Sequence, residues 1–79
     1  MGHTFIVRTG HDLGKAVREA RLSAGLTQEQ LAVDADLDRT YLARMESGLS
    51  VLLLDRAIRL LRLLGAEISI QMPDRPHAP

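Results

Sequence analysis

Between Gly25 and Gly48 the chain starts and stops a helix twice, and no other feature limits the fold as tightly. Thr27 stands three residues before Gln30, the spacing of a capping box in which the hydroxyl accepts the Gln30 backbone N–H and the amide reaches back. A helix opens there, with Leu31 and Ala32 turned inward. Its apolar pattern fails at Asp36. Leu37 is apolar again, Asp38 suits an N-cap, and Tyr41, Leu42 and Met45 recur at helical spacing until Gly48 ends the segment. Two short helices joined by about four residues form a helix-turn-helix candidate on spacing alone.

The flanks supply the rest of the fold. Leu13, Val17, Ala20 and Ala24 alternate with Lys15, Arg18, Glu19 and Arg21, which predicts a helix over about 12–24 with Gly25 as its C-cap. A further helix is expected over 51–64, stopped by Gly65, and it is too apolar for one buried face. Leu54, Ala57, Ile58, Leu61 and Gly65 form one stripe, while Leu53, Leu60, Leu63 and Leu64 begin a second. The excess fits a subunit interface, or else a small core wrapped around one helix. Residues 4–8 suit a short strand ended by Gly10, and residues 67–72 alternate, with Ile68, Ile70 and Met72 on one face. A lone strand is not stable. The two segments pair with each other or with a second subunit, and either choice brings the chain ends together. The organisation expected is a strand or arm at 1–10, a helical domain at 11–65, a dimerisation strand at 66–72 and a disordered, proline-rich tail at 73–79.

A chain of 79 residues holds one small core, which leaves only a few kcal/mol of stability unless a disulfide, a metal or a partner adds to it. Cysteine is absent, and His3, His11 and His77 are too far apart for a local metal motif. Oligomerisation remains. Ten basic and ten acidic residues balance, so any affinity for nucleic acid must come from local charge placement. Asp55, Arg56, Arg59 and Arg62 interrupt the apolar stretch at 49–64, which excludes a membrane span of ordinary length. No signal peptide is read, and a cytoplasmic, bacterial protein is expected.

Several chemistries fail on inspection. Asp34, Asp36 and Asp38 imitate the start of a calcium loop, but Arg39 and Met45 stand where that loop needs Gly and Glu. No nucleophile elbow or glycine-rich phosphate loop occurs, so no enzyme is read, and no cofactor or metal is expected. Phe5 and Tyr41 are too few aromatics for a base-stacking platform. Arg56, Arg59 and Arg62 recur every three residues as a drifting ridge, either a solvated face or a surface for an acidic partner.

The run GLTQEQLAVDADLDRTYLARMESG at 25–48, with Arg21 before it, resembles the lambda-repressor-like (Xre) helix-turn-helix family, and the resemblance extends from Leu13 to Gly65. It implies a mainly all-α domain of four to five helices, with short terminal β-strands that pair in a dimer. Ala32 would be the small residue at the helix crossing, and Leu37, Leu42 and Met45 the core side of the turn and second helix. Asp36 departs from the family's usual glycine, though Asp tolerates a positive φ better than most residues. The resemblance places Arg39, Thr40 and Arg44 at base-reading positions in the major groove. Arg39 has the chemistry for a bidentate contact to guanine. Thr27, Gln28, Ser47 and Ser50 become phosphate contacts, with Thr27 a cap first, and Arg21 and Glu46 a structural salt bridge.

Within that family the layout of helices followed at once by a strand, LRLLGAEISIQM, is similar to HipB-type antitoxins. That likeness implies a homodimer closed through Leu53, Leu60, Leu63, Ile68, Ile70 and Met72. It also implies repression of its own operon from a palindromic double-stranded DNA operator, and a HipA-like kinase toxin as partner. Two other readings stay open. One is a stand-alone phage or host repressor. The other is a protein-interaction module that does not read DNA, for which the acidic run Asp34, Asp36, Asp38 speaks.

Overall fold

The computed structural model describes residues 3–49 and 52–73. In chain order these form β1 (Thr4–Val7), α1 (Gly10–Ser23), α2 (Gln28–Asp34), α3 (Arg39–Glu46), α4 (Leu52–Leu63) and β2 (Ile68–Gln71). The fold is mainly helical with a two-stranded antiparallel sheet, as expected, and the helices number four among the described residues. Ser50, Val51 and the tail beyond Pro73 lie outside those residues, so the expected phosphate contact at Ser50 has no structural description.

All four helices end in the same way. Each has a left-handed residue after its last turn, namely Gly25, Asp36, Gly48 and Gly65 at φ of 74°, 56°, 87° and 84°. In each, the following N–H bonds back five residues: Leu26 to Arg21, Leu37 to Ala32, Leu49 to Arg44 and Ala66 to Leu61. This is the Schellman arrangement, and the apolar residue just beyond the turn is part of it. Three of the four sites use glycine. Asp36 adopts the same conformation with a Cβ.

The helix starts are equally specified. The Thr27 hydroxyl accepts the Gln30 backbone N–H at 3.1 Å and the Gln30 side-chain Oε1 accepts the Thr27 N–H at 2.8 Å, completing the expected box. Asp38 Oδ1 accepts from the N–H groups of Thr40 and Tyr41 at the head of α3. The first helix differs from expectation. Gly10 is not a breaker but the first residue of α1, because Thr9 caps it and Asp55 of α4 accepts the Gly10 N–H at 2.8 Å. A carboxylate there satisfies an orphan donor and complements the positive helix end.

α1 is the hub. It packs against α3, α4 and β1, while α2 packs on α3. Its buried residues are Gly10, Gly14 and Arg21 on one side and Ala16 on the other, with Leu13, Val17 and Ala20 half-buried and Ala24 exposed, so the apolar periodicity misplaces the tightest contact. At Gly14 a Cβ would fall on the Met45 carbonyl oxygen, and only glycine lets the two helix backbones meet there.

The strands pair with each other inside one chain, one of the two arrangements that the sequence leaves open. The register sets Phe5 opposite Ile70 and Val7 opposite Ile68. Met72 extends the ladder by donating its N–H to the His3 carbonyl at 2.7 Å. Val7 and Met72 are buried and Ile68 and Ile70 half-buried, so the expected apolar face of the strand covers its own chain. Met72 in particular is a core residue of the single chain, with 4% of its surface exposed. The physical reason is proximity: the packed helices hold the two chain ends together, and pairing them requires no second molecule.

The core is small. Val7, Ala16, Ala32, Leu42, Ile58 and Met72 are its buried apolar residues among those described. On α4 only Ile58 is buried, and the first stripe is not a core face either: Leu54 and Leu61 keep 39% and 41% of their surface, and Ala57 is exposed. Leu53, Leu60, Leu63 and Leu64 are 62–81% exposed, so the second stripe lies wholly in solvent in the single chain. Leu37 is likewise 43% exposed and Met45 half-buried, leaving Leu42 as the core residue of the turn region.

Candidate nucleic-acid interface

Helix α3 has one inward and one outward side. Leu42 and Glu46 are buried, and at 100° per residue Thr40, Ala43, Arg44 and Ser47 occupy a continuous arc on the other side, with Arg39 at the edge of that arc next to Glu46. Arg39, Thr40, Arg44 and Ser47 are exposed and Ala43 is half-buried. Of the three residues expected to read bases, Thr40 and Arg44 share the outward face, beside the small Ala43, and Arg39 stands exposed at its edge in the first turn. Asp38 lies at the head of this helix, but its carboxylate is engaged by two backbone N–H groups. Part of the acidic run that argued against a DNA surface is therefore a helix cap.

The helix is held from behind by one buried carboxylate. Glu46 Oε2 accepts from Arg21 Nε at 2.7 Å and Oε1 accepts from Arg21 Nη2 at 2.9 Å, a fork-to-fork pair between α1 and α3. Gln28 Nε2 of α2 donates to the same Oε1 at 3.1 Å. Arg21 Nη1 also donates to the Leu26 carbonyl at 2.8 Å, in the turn between α1 and α2. Three helices and one turn meet in this network, with Arg21 and Glu46 only 9% and 4% exposed. The Arg21 hydrogen bonds hold the Glu46 carboxyl below its usual range; burial opposes them and the Gln28 bond adds to them. The same pair holds the Arg21 guanidinium above its ordinary value, against the cost of burial.

The expected phosphate contacts separate on this geometry. The Thr27 hydroxyl accepts from its own helix, which leaves its proton free to donate outward. Gln28 braces Glu46 with its amide nitrogen. Ser47 is placed differently: its hydroxyl donates to the Arg44 carbonyl at 3.0 Å and its N–H to Ala43, so both protons are used in ending α3.

A second basic element went unnoticed in the sequence. His11, Lys15 and Arg18, at spacing i, i+4, i+7 on α1, line a groove with Gln28, Ala43 and Ser47, directly beside the outward face of α3. That spacing was a readable signal. Its proximity to α3 was not, because it depends on the Gly14–Met45 crossing.

A helix-turn-helix family model matches residues 17–71 of the chain. The chain belongs to that family. It is 38% identical over 55 residues to Control protein C.BamHI of Bacillus amyloliquefaciens, an alignment that covers 68% of each chain. No solved structure matches it. As a member of this family the chain is a DNA-binding transcription regulator of the Xre type and not an enzyme. No helix among the described residues is long and apolar enough to cross a membrane.

Proposed function

We propose that the chain is a sequence-specific repressor that binds a palindromic operator in double-stranded DNA as a homodimer in the bacterial cytoplasm. The observation that carries this reading is the outward face of α3, whose Arg39, Thr40 and Arg44 stand exposed over a network that fixes the helix from behind. Arg39 and Arg44 read base edges, Thr40 contacts a thymine methyl or a base acceptor, and Thr27 and Gln28 address the phosphates.

The second copy sits on α4. Leu53, Leu60 and Leu64 expose 80%, 62% and 81% of their surface along one side of that helix. A contiguous apolar patch of that kind on a chain with so small a core marks an association surface. A two-fold dimer closed there sets its recognition helices about 34 Å apart, one turn of the duplex.

Two cellular settings are compatible with this regulator. In the antitoxin reading a HipA-like kinase toxin is the further partner, and the direct run from α4 into β2 supports it. In the stand-alone reading no toxin exists, and the 38% identity to Control protein C.BamHI supports that. Co-expression with the neighbouring gene product, followed by size-exclusion chromatography, separates them.

DNA binding is tested by fluorescence anisotropy with the chain's own upstream DNA at two salt concentrations, comparing wild type with Arg39→Ala. The expected result is saturable, salt-sensitive binding that the variant weakens by about 1–3 kcal/mol at the operator and leaves unchanged on unrelated DNA. Absence of binding by a folded dimer overturns the reading.

A further inference from the structure

Arg8, Arg59 and Arg62 reach one groove from opposite ends of the sequence. Arg8 follows β1, Arg59 and Arg62 lie about one turn apart on α4, and the three line the depression together with Thr9, Asp55 and Leu63. Arg8 and Arg62 continue into an adjoining hollow that also contains Glu67. The acid within the groove is already engaged, since Asp55 Oδ1 accepts the Gly10 N–H at 2.8 Å. None of the three arginines forms an ion pair among the described residues, where the Arg21–Glu46 bridge stands alone. In a chain of zero net charge, three guanidiniums against Asp55 in the groove and Glu67 in the adjoining hollow still leave a local excess of positive charge, which is not the overspill of a basic protein. The even ridge of Arg56, Arg59 and Arg62 read from the sequence is thereby divided. Arg56 does not line the groove, and Arg8 takes its place.

The groove is set apart from the base-reading helix. It shares no lining residue with the basic groove beside α3. α3 packs on α1 and α2, whereas the groove lies where α4 and the sheet flank α1. Arg59 and Arg62 are about 10 and 15 Å along α4 from its first residue at 1.5 Å per residue. Its chemistry is that of a carboxylate receptor with an apolar rim: guanidinium forks match carboxylates, and Leu63 stands 75% exposed at the edge. The guanidinium forks alone suit a phosphate as well as a carboxylate; the exposed leucine at the rim favours a polypeptide rich in Asp and Glu with an interposed Leu, which supplies both parts.

We propose that this groove is a docking site for an acidic, leucine-bearing segment of a second protein, used while α3 is free to bind DNA. Peptide docking in the groove does not depend on the operator reading; that α3 stays free for DNA rests on it.

The probe is a fluorescein-labelled, end-blocked peptide of glutamates with leucine at every third position, titrated onto the full chain at low salt; a lysine–leucine peptide is the control. Expected are saturable binding of the acidic peptide only and NMR shift changes concentrated at Arg8, Thr9, Arg59, Arg62 and Leu63. Affinity should fall about tenfold in the Arg8→Gln, Arg59→Gln, Arg62→Gln triple variant, the sum of three exposed pairs. Arg56→Gln, on the same helix outside the groove, should bind as wild type, and the single variant Arg59→Gln serves if the triple variant does not fold. Peptide binding that ignores these arginines overturns the proposal. So does loss of operator affinity in the triple variant, which makes the groove a phosphate surface, or loss of the dimer in sedimentation, which makes it a subunit contact.

Discussion

Arg21 on α1 grips Glu46, the last residue of α3, through two parallel hydrogen bonds of 2.7 and 2.9 Å, and the pair lies almost wholly out of solvent. Two residues 25 positions apart thus decide how the exposed face of α3 is held. Removing one partner of a buried pair strands the other charge, at a cost of about 3–5 kcal/mol. Glu46→Ala is therefore expected to lose most of the stability of so small a domain, and operator affinity with it, as read by urea denaturation and anisotropy on the same preparation. A variant with wild-type melting and no DNA binding would remove the pair from its structural role and make Glu46 a direct contact.

The same pair sets an acid limit. The Glu46 carboxyl titrates below its usual value of 4.5 when folded, so the folded state binds its proton less readily than the unfolded chain does. Its stabilisation is complete above the unfolded value and disappears as pH falls through the lower folded one. Arg21 stays charged throughout that window. Thermal melts between pH 6 and about pH 3 should show wild type losing stability below about pH 4.5, whereas Glu46→Gln, less stable at neutral pH, changes less over the same interval. Parallel losses in both proteins would assign the acid transition to other carboxylates.

Asp36 occupies, at φ 56°, the position that glycine fills at the other three helix ends. A side chain in the left-handed region costs roughly 1–2 kcal/mol, somewhat less for Asp. Asp36→Gly is expected to raise stability by about 1 kcal/mol and the melting temperature by about 4–8 °C. An unchanged or lower melting temperature would mean that the carboxylate contributes more than the strain costs.

Gly14 and Gly25 separate two reasons for a glycine. Gly14 has an ordinary helical backbone but no room, since a Cβ would meet the Met45 carbonyl; Gly25 has open space but a φ of 74°. Gly14→Ala should destabilise by about 1–3 kcal/mol through overpacking and displace α3, so that operator affinity falls as well. Gly25→Ala should cost about 1 kcal/mol from backbone strain and leave the affinity of the folded fraction intact. Equal effects on binding would contradict the α1–α3 crossing as the element that positions α3.

Local chemistry was legible in the sequence and tertiary geometry was not. The Thr27–Gln30 box, the Asp38 cap and the Gly25, Gly48 and Gly65 stops are decided within a few residues, and the structure reproduces each. The Arg21–Glu46 bridge was foreseen only through family resemblance, because no local pattern links residues so far apart. Asp55 capping α1 across 45 residues gives no local signal, and from the sequence alone Gly10 has the look of a breaker. Nor did the periodicity of α1 reveal that its closest contact is a glycine. The strand pattern was right about the face formed by Ile68, Ile70 and Met72, and open on the partner, since alternation reports which side is buried but not against what.

That last ambiguity yields the test that divides the two association surfaces. Ile68 and Ile70 lie opposite Val7 and Phe5 of the same chain, with Val7 1% exposed. Charges at 68 and 70 therefore fall on an intrachain sheet, and Ile68→Asp with Ile70→Asp should unfold the domain instead of releasing a folded monomer. Burying two unpaired carboxylates costs more than a domain of this size can absorb. Leu53 and Leu60 are exposed by 80% and 62%, with no partner side chain to lose in the single chain. Leu53→Glu with Leu60→Glu should thus preserve the circular dichroism spectrum, halve the mass in light scattering and abolish operator binding at concentrations where wild type saturates. A folded dimer surviving in this second variant would exclude that side of α4 as the interface, and a folded monomer from the first would restore cross-subunit strand pairing.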